Sequence, residues 1–189
     1  KELTCITEAG GNEEVLALVE SGEIYASVAL QFEGDMAQSF DALVAMIDAK
    51  DPSTAAHSER VGDLAGRLGE AIGLGTKHVR DLRWAGRLHD IGKVAVDDAI
   101  LQKGAGLTNE EWEIMRRHPA VAAELLSGLS LTRGLTPAIR YHHERADGSG
   151  YYLVPGDEIP LEASIVAIVD AFDAMTSDRQ RKLVAEFLA

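Results

Sequence analysis

With 189 residues, 46% of them hydrophobic, the chain has enough apolar material for one ordinary domain with its own core plus a short appendage. Its formal net charge of −13, with no run of Lys or Arg to track a phosphate backbone, argues against DNA or RNA as a partner. No apolar run is long enough to cross a bilayer, and the single Cys5 leaves no internal disulfide and no Cys-based zinc finger, so a metal here must rely on imidazole and carboxylate.

The start Lys1-Glu2-Leu3-Thr4 lacks a signal peptide's apolar core, and the expectation is a cytoplasmic chain without a membrane segment. Residues 1–33 differ in pattern from the rest. Glu13 to Glu20 has helical spacing and breaks at Ser21-Gly22, and Glu23 to Leu30 gives the one convincing strand pattern. This predicts a short α/β appendage, too small to fold alone, with a boundary near Gly34. Residues 34–189 are expected to form an all-α bundle.

From Met36 the spacing of Phe40, Leu43, Val44 and Ile47 predicts a helix ending near Lys50. Asp51 as N-cap with Pro52 at the first helical position opens a second helix, whose expected buried stripe is Val61, Leu64, Leu68 and Ile72, up to Gly73. His57 lies one turn before Val61 on that inward side. A third helix is expected from Thr76 to Ile91, with Val79, Leu82 and Leu88 inward, His89-Asp90 in the last turn and Gly92 as its stop. Thr108 and Glu111 have capping-box spacing and start a helix through Trp112, Met115 and His118, where Pro119 must interrupt or restart it. A helix from Pro137 carries Ile139, His142 and His143 into the Asp147-Gly148-Ser149-Gly150 loop. The last runs from Leu161 to about Ser177, with Ile165, Ile168, Val169 and Phe172 expected inward and Asp170 beside them.

A single histidine on an apolar helix face is usually a hydrogen-bonded core residue. Here five of the six, His57, His89, His118, His142 and His143, fall where they can face one interior, and only His78 does not. Burying five imidazoles with Asp90 and Asp170 is costly unless something pairs them. Divalent metal does so, since neutral imidazole and ionised carboxylate are its ligands. Seven ligands exceed one ordinary site and suit two ions sharing a bridging carboxylate.

The motifs Lys50-Asp51-Pro52 with Thr54, His57-Ser58-Glu59-Arg60-Val61, His89-Asp90-Ile91-Gly92-Lys93 and Arg117-His118-Pro119 come in an order that resembles the HD superfamily of metal-dependent phosphohydrolases. With His142-His143-Glu144, Asp147-Gly148-Ser149-Gly150-Tyr151, Ile159-Pro160-Leu161, Asp170 with Phe172-Asp173-Ala174, and Thr176-Ser177-Asp178-Arg179, the chain looks like the HD-GYP subfamily, bacterial phosphodiesterases acting on cyclic di-GMP. The resemblance covers about Asp35 to Arg179. It implies an HD-type helical bundle in which His57, His89, Asp90 and Asp170 hold one ion, His118, His142 and His143 complete the second, and Asp90 bridges. The expected cofactors are two divalent ions, iron or manganese first, with zinc, cobalt and nickel as alternatives. Asp90 and Lys93 are the expected catalytic residues, Lys93 by stabilising charge on the phosphate, and Lys93, Gly150, Tyr151 and Arg179 the expected substrate contacts. Asp173 and Asp178 are read as capping or hydrogen-bonding residues, and Glu144 as either orienting a ligand histidine or a solvated helix-end acid.

The implied activity is hydrolysis of cyclic di-GMP to linear pGpG, possibly onward to GMP, by a hydroxide bridging two metals. The rivals are a weak or inactive cyclic dinucleotide sensor signalling to a partner protein, and a nucleotidase for another phosphate ester. Such modules commonly follow sensory or receiver domains, so residues 1–33 are read as the remnant of one, or else as a segment that mediates homodimerisation. Three departures from the family pattern stand out. Tyr152 replaces the proline of the signature tripeptide, in a loop one residue shorter than usual, and is expected to loosen residues 148–156 and to offer a ring to a guanine or the metal entrance. Ser53 stands where some relatives carry a glutamate and gain a third metal. Finally, Arg179 meets Gln180-Arg181-Lys182-Leu183-Val184 directly, where the pattern would place a further helix-loop-helix.

Overall fold

The computed structural model describes residues 37–47, 49–50, 55–128 and 132–176. The predicted strand, the Asp51-Pro52 cap, Ser53, Asp178, Arg179 and the Arg179–Gln180 join lie outside the described residues. The chain divides into two compact units, 1–41 and 42–189. In the smaller unit residues 37–41 are helical and Phe40 is buried.

In the larger unit every regular element among the described residues is helical, as expected of an all-α bundle. Residues 42–47 are helical and bury Val44 and Ile47. Then come α1 (Ala55–Ala71), α2 (Thr76–Leu88), a 3-10 turn (Ile91–Ala95), α3 (Asp98–Leu101), α4 (Asn109–Met115), α5 (His118–Ser127), α6 (Thr136–Tyr141), a second 3-10 turn (Gly156–Glu158) and α7 (Leu161–Thr176). Among the described residues no helix is long and apolar enough to cross a membrane.

The most extensive packing is α1 on α2, and it is made by glycines. A Cβ on Gly86 would stand 2.8 Å from Gly62 Cα, and one on Gly62 would stand 2.7 Å from Arg83 O, so the backbones meet with nothing between them. This close approach turns the buried face of α1 toward Val61, Gly62, Ala65, Gly66 and Gly69. Leu64 and Leu68 are only half-buried and Ile72 is 50% exposed, contrary to the leucine stripe predicted from spacing. Gly73, at φ +81°, ends the run as predicted, with Leu74 N donating back to Gly69 O.

Helix α2 buries Val79, Leu82, Ala85 and Leu88 but stops at Leu88, not at Ile91. The His89 ring takes the Gly86 carbonyl that one more turn of helix would have used, and Asp90 leads into the 3-10 turn. Gly92 is therefore no helix stop; a Cβ there would collide with His118 O, so it lets α5 press against the turn. The Thr108 and Glu111 capping box is present in full, α4 ends at Met115, and the chain restarts at His118 with Pro119 in the first turn of α5.

Helix α7 packs on α1 and α6 and buries Ala163, Ile165, Val166, Val169 and Asp173. Ile168 and Phe172, expected inward, are 62% and 52% exposed. The inward face is rotated because Asp170 and Asp173 belong to it, and an apolar pattern does not register carboxylates as core-facing.

Candidate metal centre

Seven side chains from five segments converge inside the bundle. His57 comes from α1, His89 and Asp90 from the α2 exit, His118 from the first residue of α5, His142 and His143 from the α6 exit, and Asp170 from α7. His118, His142 and His143 form one group whose ligand atoms all lie within 4.8 Å of one another, and His57, His89 and Asp90 form another. Asp170 joins the second, its Oδ1 lying 3.1 Å from His57 Nε2 and 3.9 Å from His89 Nε2. Asp90 faces both groups: Oδ2 lies 3.3 Å from His89 Nε2 and Oδ1 lies 3.2 Å from His118 Nε2.

Three of the imidazoles are aimed by one local device. Nδ1 of His89, His118 and His142 each meets the backbone carbonyl three residues earlier, Gly86 O at 2.7 Å, Met115 O at 2.8 Å and Ile139 O at 2.6 Å. A helix end leaves such carbonyls unpaired, so a histidine just beyond it donates from Nδ1 and turns Nε2 toward the interior. His57 is fixed instead by a carboxylate. Its Nδ1 lies 2.8 Å from Asp173 Oδ2, and Arg60, one turn along α1, donates to both Asp173 oxygens at 2.6 and 2.9 Å.

With Nδ1–H committed, a neutral imidazole presents a lone pair at Nε2. That of His142 is buried and has no hydrogen-bond partner, and that of His118 faces a carboxylate oxygen without a hydrogen bond. Unpaired buried acceptors facing acceptors are costly, and a cation among them removes the conflict. These donors fit divalent metal. Burial pushes the His142 imidazole well below its usual range, helped by the neighbouring histidines, and burial with His118 lowers His143 to about 4, so both are neutral at physiological pH, the form that a metal would need. Burial would raise the Asp90 carboxyl, but His89, Lys93 and His118 hold it well below the usual carboxylate range. Asp170 is likewise lowered against its burial by His57 and His89.

Lys93, on the 3-10 turn, is drawn inward, its Nζ 2.5 Å from Asp90 Oδ2. Tyr151 stacks at 4.5 Å between centroids on His143, and burial raises its phenol. Gly150 is buried, and a Cβ there would stand 2.5 Å from Glu144 Cα. Arg179 lies outside the described residues. His78 is exposed, as its place in the pattern implies.

Two readings of the loop change. Glu144 is not a solvated acid, and its carboxylate serves the loop: it is 6% exposed and accepts from Tyr152 N at 2.7 Å and Val154 N at 2.9 Å. Leu153 between them sits at φ +57°, a left-handed conformation in which the flanking amides turn to one carboxylate. Tyr152, expected to loosen the loop, is held by contacts on both sides. Its hydroxyl accepts from Ala120 N at 3.1 Å, an amide of the first turn of α5, and its ring meets Tyr141 edge-on. Replacing proline added two ties, the phenol and the amide that Glu144 takes. Arg60 was missed as a partner; its signal was its position three residues after His57 beside an aspartate-rich α7.

The fold and this cluster define an HD-type domain. The family model described as HD domain matches residues 41–185, and the chain belongs to that family. The resemblance to HD-GYP members of the superfamily is borne out by its relatives. The chain is 44% identical over 150 residues to the cyclic di-GMP phosphodiesterase response regulator RpfG of Xanthomonas campestris pv. campestris, covering 77% of this chain and 39% of that protein. It is 40% identical over 156 residues to a cyclic di-GMP phosphodiesterase of Thermotoga maritima, covering 80% and 42%. To the 3'3'-cGAMP-specific phosphodiesterase 3 of Vibrio cholerae it is 39% identical over 135 residues, covering 71% and 29%. The chain thus spans less than half the length of these relatives. In fold it is similar to Bd1817, an HDG"Y"P protein from Bdellovibrio bacteriovorus, at TM-score 0.55 and 19% identity, covering 72% of this chain and 50% of that one. The HD domain of the Listeria monocytogenes phosphodiesterase PgpH gives TM-score 0.54 and 20% identity, covering 72% and 74%.

Proposed function

We propose that this domain is a metal-dependent phosphodiesterase that opens cyclic di-GMP to linear pGpG, with further cleavage to GMP as a slower step. The observation that carries the reading is Asp90, whose two oxygens face two separate groups of imidazole Nε2 atoms. The two groups, with Asp170, would hold two divalent ions, iron or manganese before zinc, cobalt or nickel. Bound there, such ions supply Lewis acidity toward phosphate oxygens and make water nucleophilic at neutral pH. The chain's own part is to hold the Nε2 lone pairs in place, to bridge through Asp90, and to set the Lys93 ammonium beside the centre, where charge develops on the phosphoryl group. Gly150 and Tyr151 form the wall next to His143 and would meet the substrate there; Arg179 is proposed as a further contact.

The alternative of a weak or inactive cyclic dinucleotide sensor rested on Tyr152 and the shortened loop; the ties of Tyr152 to α5 and Glu144 weigh against its first ground, and the complete histidine and aspartate set favours the enzyme. Residues 1–33 are proposed to be the end of an attached sensory or receiver domain, in a cytoplasmic protein. The test is chromatographic: protein loaded anaerobically with Mn(II) or Fe(II) should convert cyclic di-GMP to pGpG. Lys93→Ala should retain both ions and lose about a hundredfold in rate, as other single electrostatic groups do. Tight binding of cyclic di-GMP without any product would refute the enzyme reading.

A further inference from the structure

Beside the metal centre, a cleft of about 430 Å³ opens between α4 and the Tyr151 loop, lined among others by Trp112, Glu113, Arg116 and Tyr151. It adjoins the centre through Tyr151, which lines the cleft and whose ring lies 4.5 Å between centroids from His143. Arg116 stands 5.7 Å over the same ring and pairs with Glu113 at 3.4 Å. Trp112 is 43% exposed, a large aromatic surface at the cleft that helix packing does not consume. The capping box at Thr108 fixes the start of α4, so these positions are presented on a set helix.

Resting on the phosphodiesterase reading, we infer that this cleft is a nucleobase subsite selecting guanine, with Trp112 as the stacking surface and the Glu113 carboxylate as the group that reads the base. The cleft has the size of a small-ligand site, and it adjoins a centre suited to phosphate. A stacking ring alone accepts any base, because every base has a π-face. A carboxylate discriminates: guanine offers two donors on one edge, N1–H and the exocyclic amine, to the two oxygens of Glu113, whereas adenine presents an acceptor at N1. The Arg116 guanidinium acts on Glu113, holding the carboxylate at the cleft; it is a positioning residue.

The test uses manganese-loaded protein and two probes, guanosine and adenosine 5′-monophosphate, titrated calorimetrically, with cyclic di-GMP turnover followed separately. Guanosine monophosphate should bind at least about tenfold more tightly than the adenosine compound, as one charge-assisted hydrogen-bond pair gives. Glu113→Gln should bring that ratio close to one, because the amide both donates and accepts. Trp112→Ala should weaken guanosine monophosphate by about tenfold through lost stacking. Both residues are surface positions on a short helix, and an unchanged circular dichroism spectrum confirms folding. Equal affinity of the wild type for the two monophosphates, or a ratio that survives Glu113→Gln, overturns the inference. Guanine preference without turnover of cyclic di-GMP supports the subsite and refutes the phosphodiesterase reading alone.

Discussion

The two halves of the candidate centre are built from different chemistry. His118, His142 and His143 form an all-imidazole half, in which backbone carbonyls aim His118 and His142 and burial keeps His142 and His143 neutral. The other half sets His57 and His89 against Asp90 and Asp170, and there the carboxylates and their partners govern orientation and charge. His57 shows the contrast with His142. Its burial opposes protonation, yet Asp170 and Asp173 raise it above its usual range, whereas beside His142 the neighbouring histidines add to burial and the pull of Asp90 does not overcome them. An imidazole half can wait for its ion as a set of neutral lone pairs; a carboxylate half carries negative charge that must be balanced meanwhile by His57, His89, Arg60 and Lys93. Asp90 belongs to both halves, and that is why a single residue joins them.

The largest effect should follow from cutting this link. Asp90→Ala is expected to abolish turnover and to leave the protein with fewer than two ions by elemental analysis. Folding should persist, because Asp90 follows the end of α2 and helps no helix hydrogen bond inside it. Retention of two ions by this variant would show the halves to be independent sites.

A smaller effect should come from the group that aims His57. Asp173→Asn keeps the size of the side chain but weakens its pull on the His57 ring and on Arg60. Metal affinity should fall by roughly tenfold to a hundredfold, the usual consequence of disturbing a carboxylate behind a ligand histidine. A competition titration with a chelator would read it, and the loss should be confined to one of the two ions. Equal loss of both would contradict the separation of the halves.

The smallest concerns the imidazole half. Tyr152→Phe removes the phenol that accepts from Ala120 N at the start of the helix carrying His118. The cost in stability should be about 1 kcal/mol, chiefly the bond from Ala120 N with a longer one from the phenol to Arg116 O at 3.4 Å, seen as a lower midpoint in urea. Unaltered stability would mean that water replaces the phenol at that amide.

The convergence of these seven side chains was legible in the sequence because its signals are local and chemical: a His-Asp pair, a His-His pair, and histidines spaced to face one interior. The helices were legible from the same kind of cue, above all the Thr108 and Glu111 box and the Pro119 restart. What escaped was decided by tertiary contact. The Gly62–Gly86 approach rotates α1 so that small residues, not leucines, form its core face. Asp170 and Asp173 likewise displace Ile168 and Phe172 from the inner face of α7. Glu144 could not be read as the clamp of the loop, because its partners are amides eight and ten residues on, brought back by the left-handed turn at Leu153.

The central claim is that Asp90 joins two ion sites into one centre, and native mass spectrometry of anaerobically purified protein reloaded with Mn(II) tests it most directly. The wild type should carry two manganese ions per chain, and His142→Ala, which removes a ligand of the imidazole half alone, should carry one. A single ion in the wild type, or two retained without His142, would contradict the account.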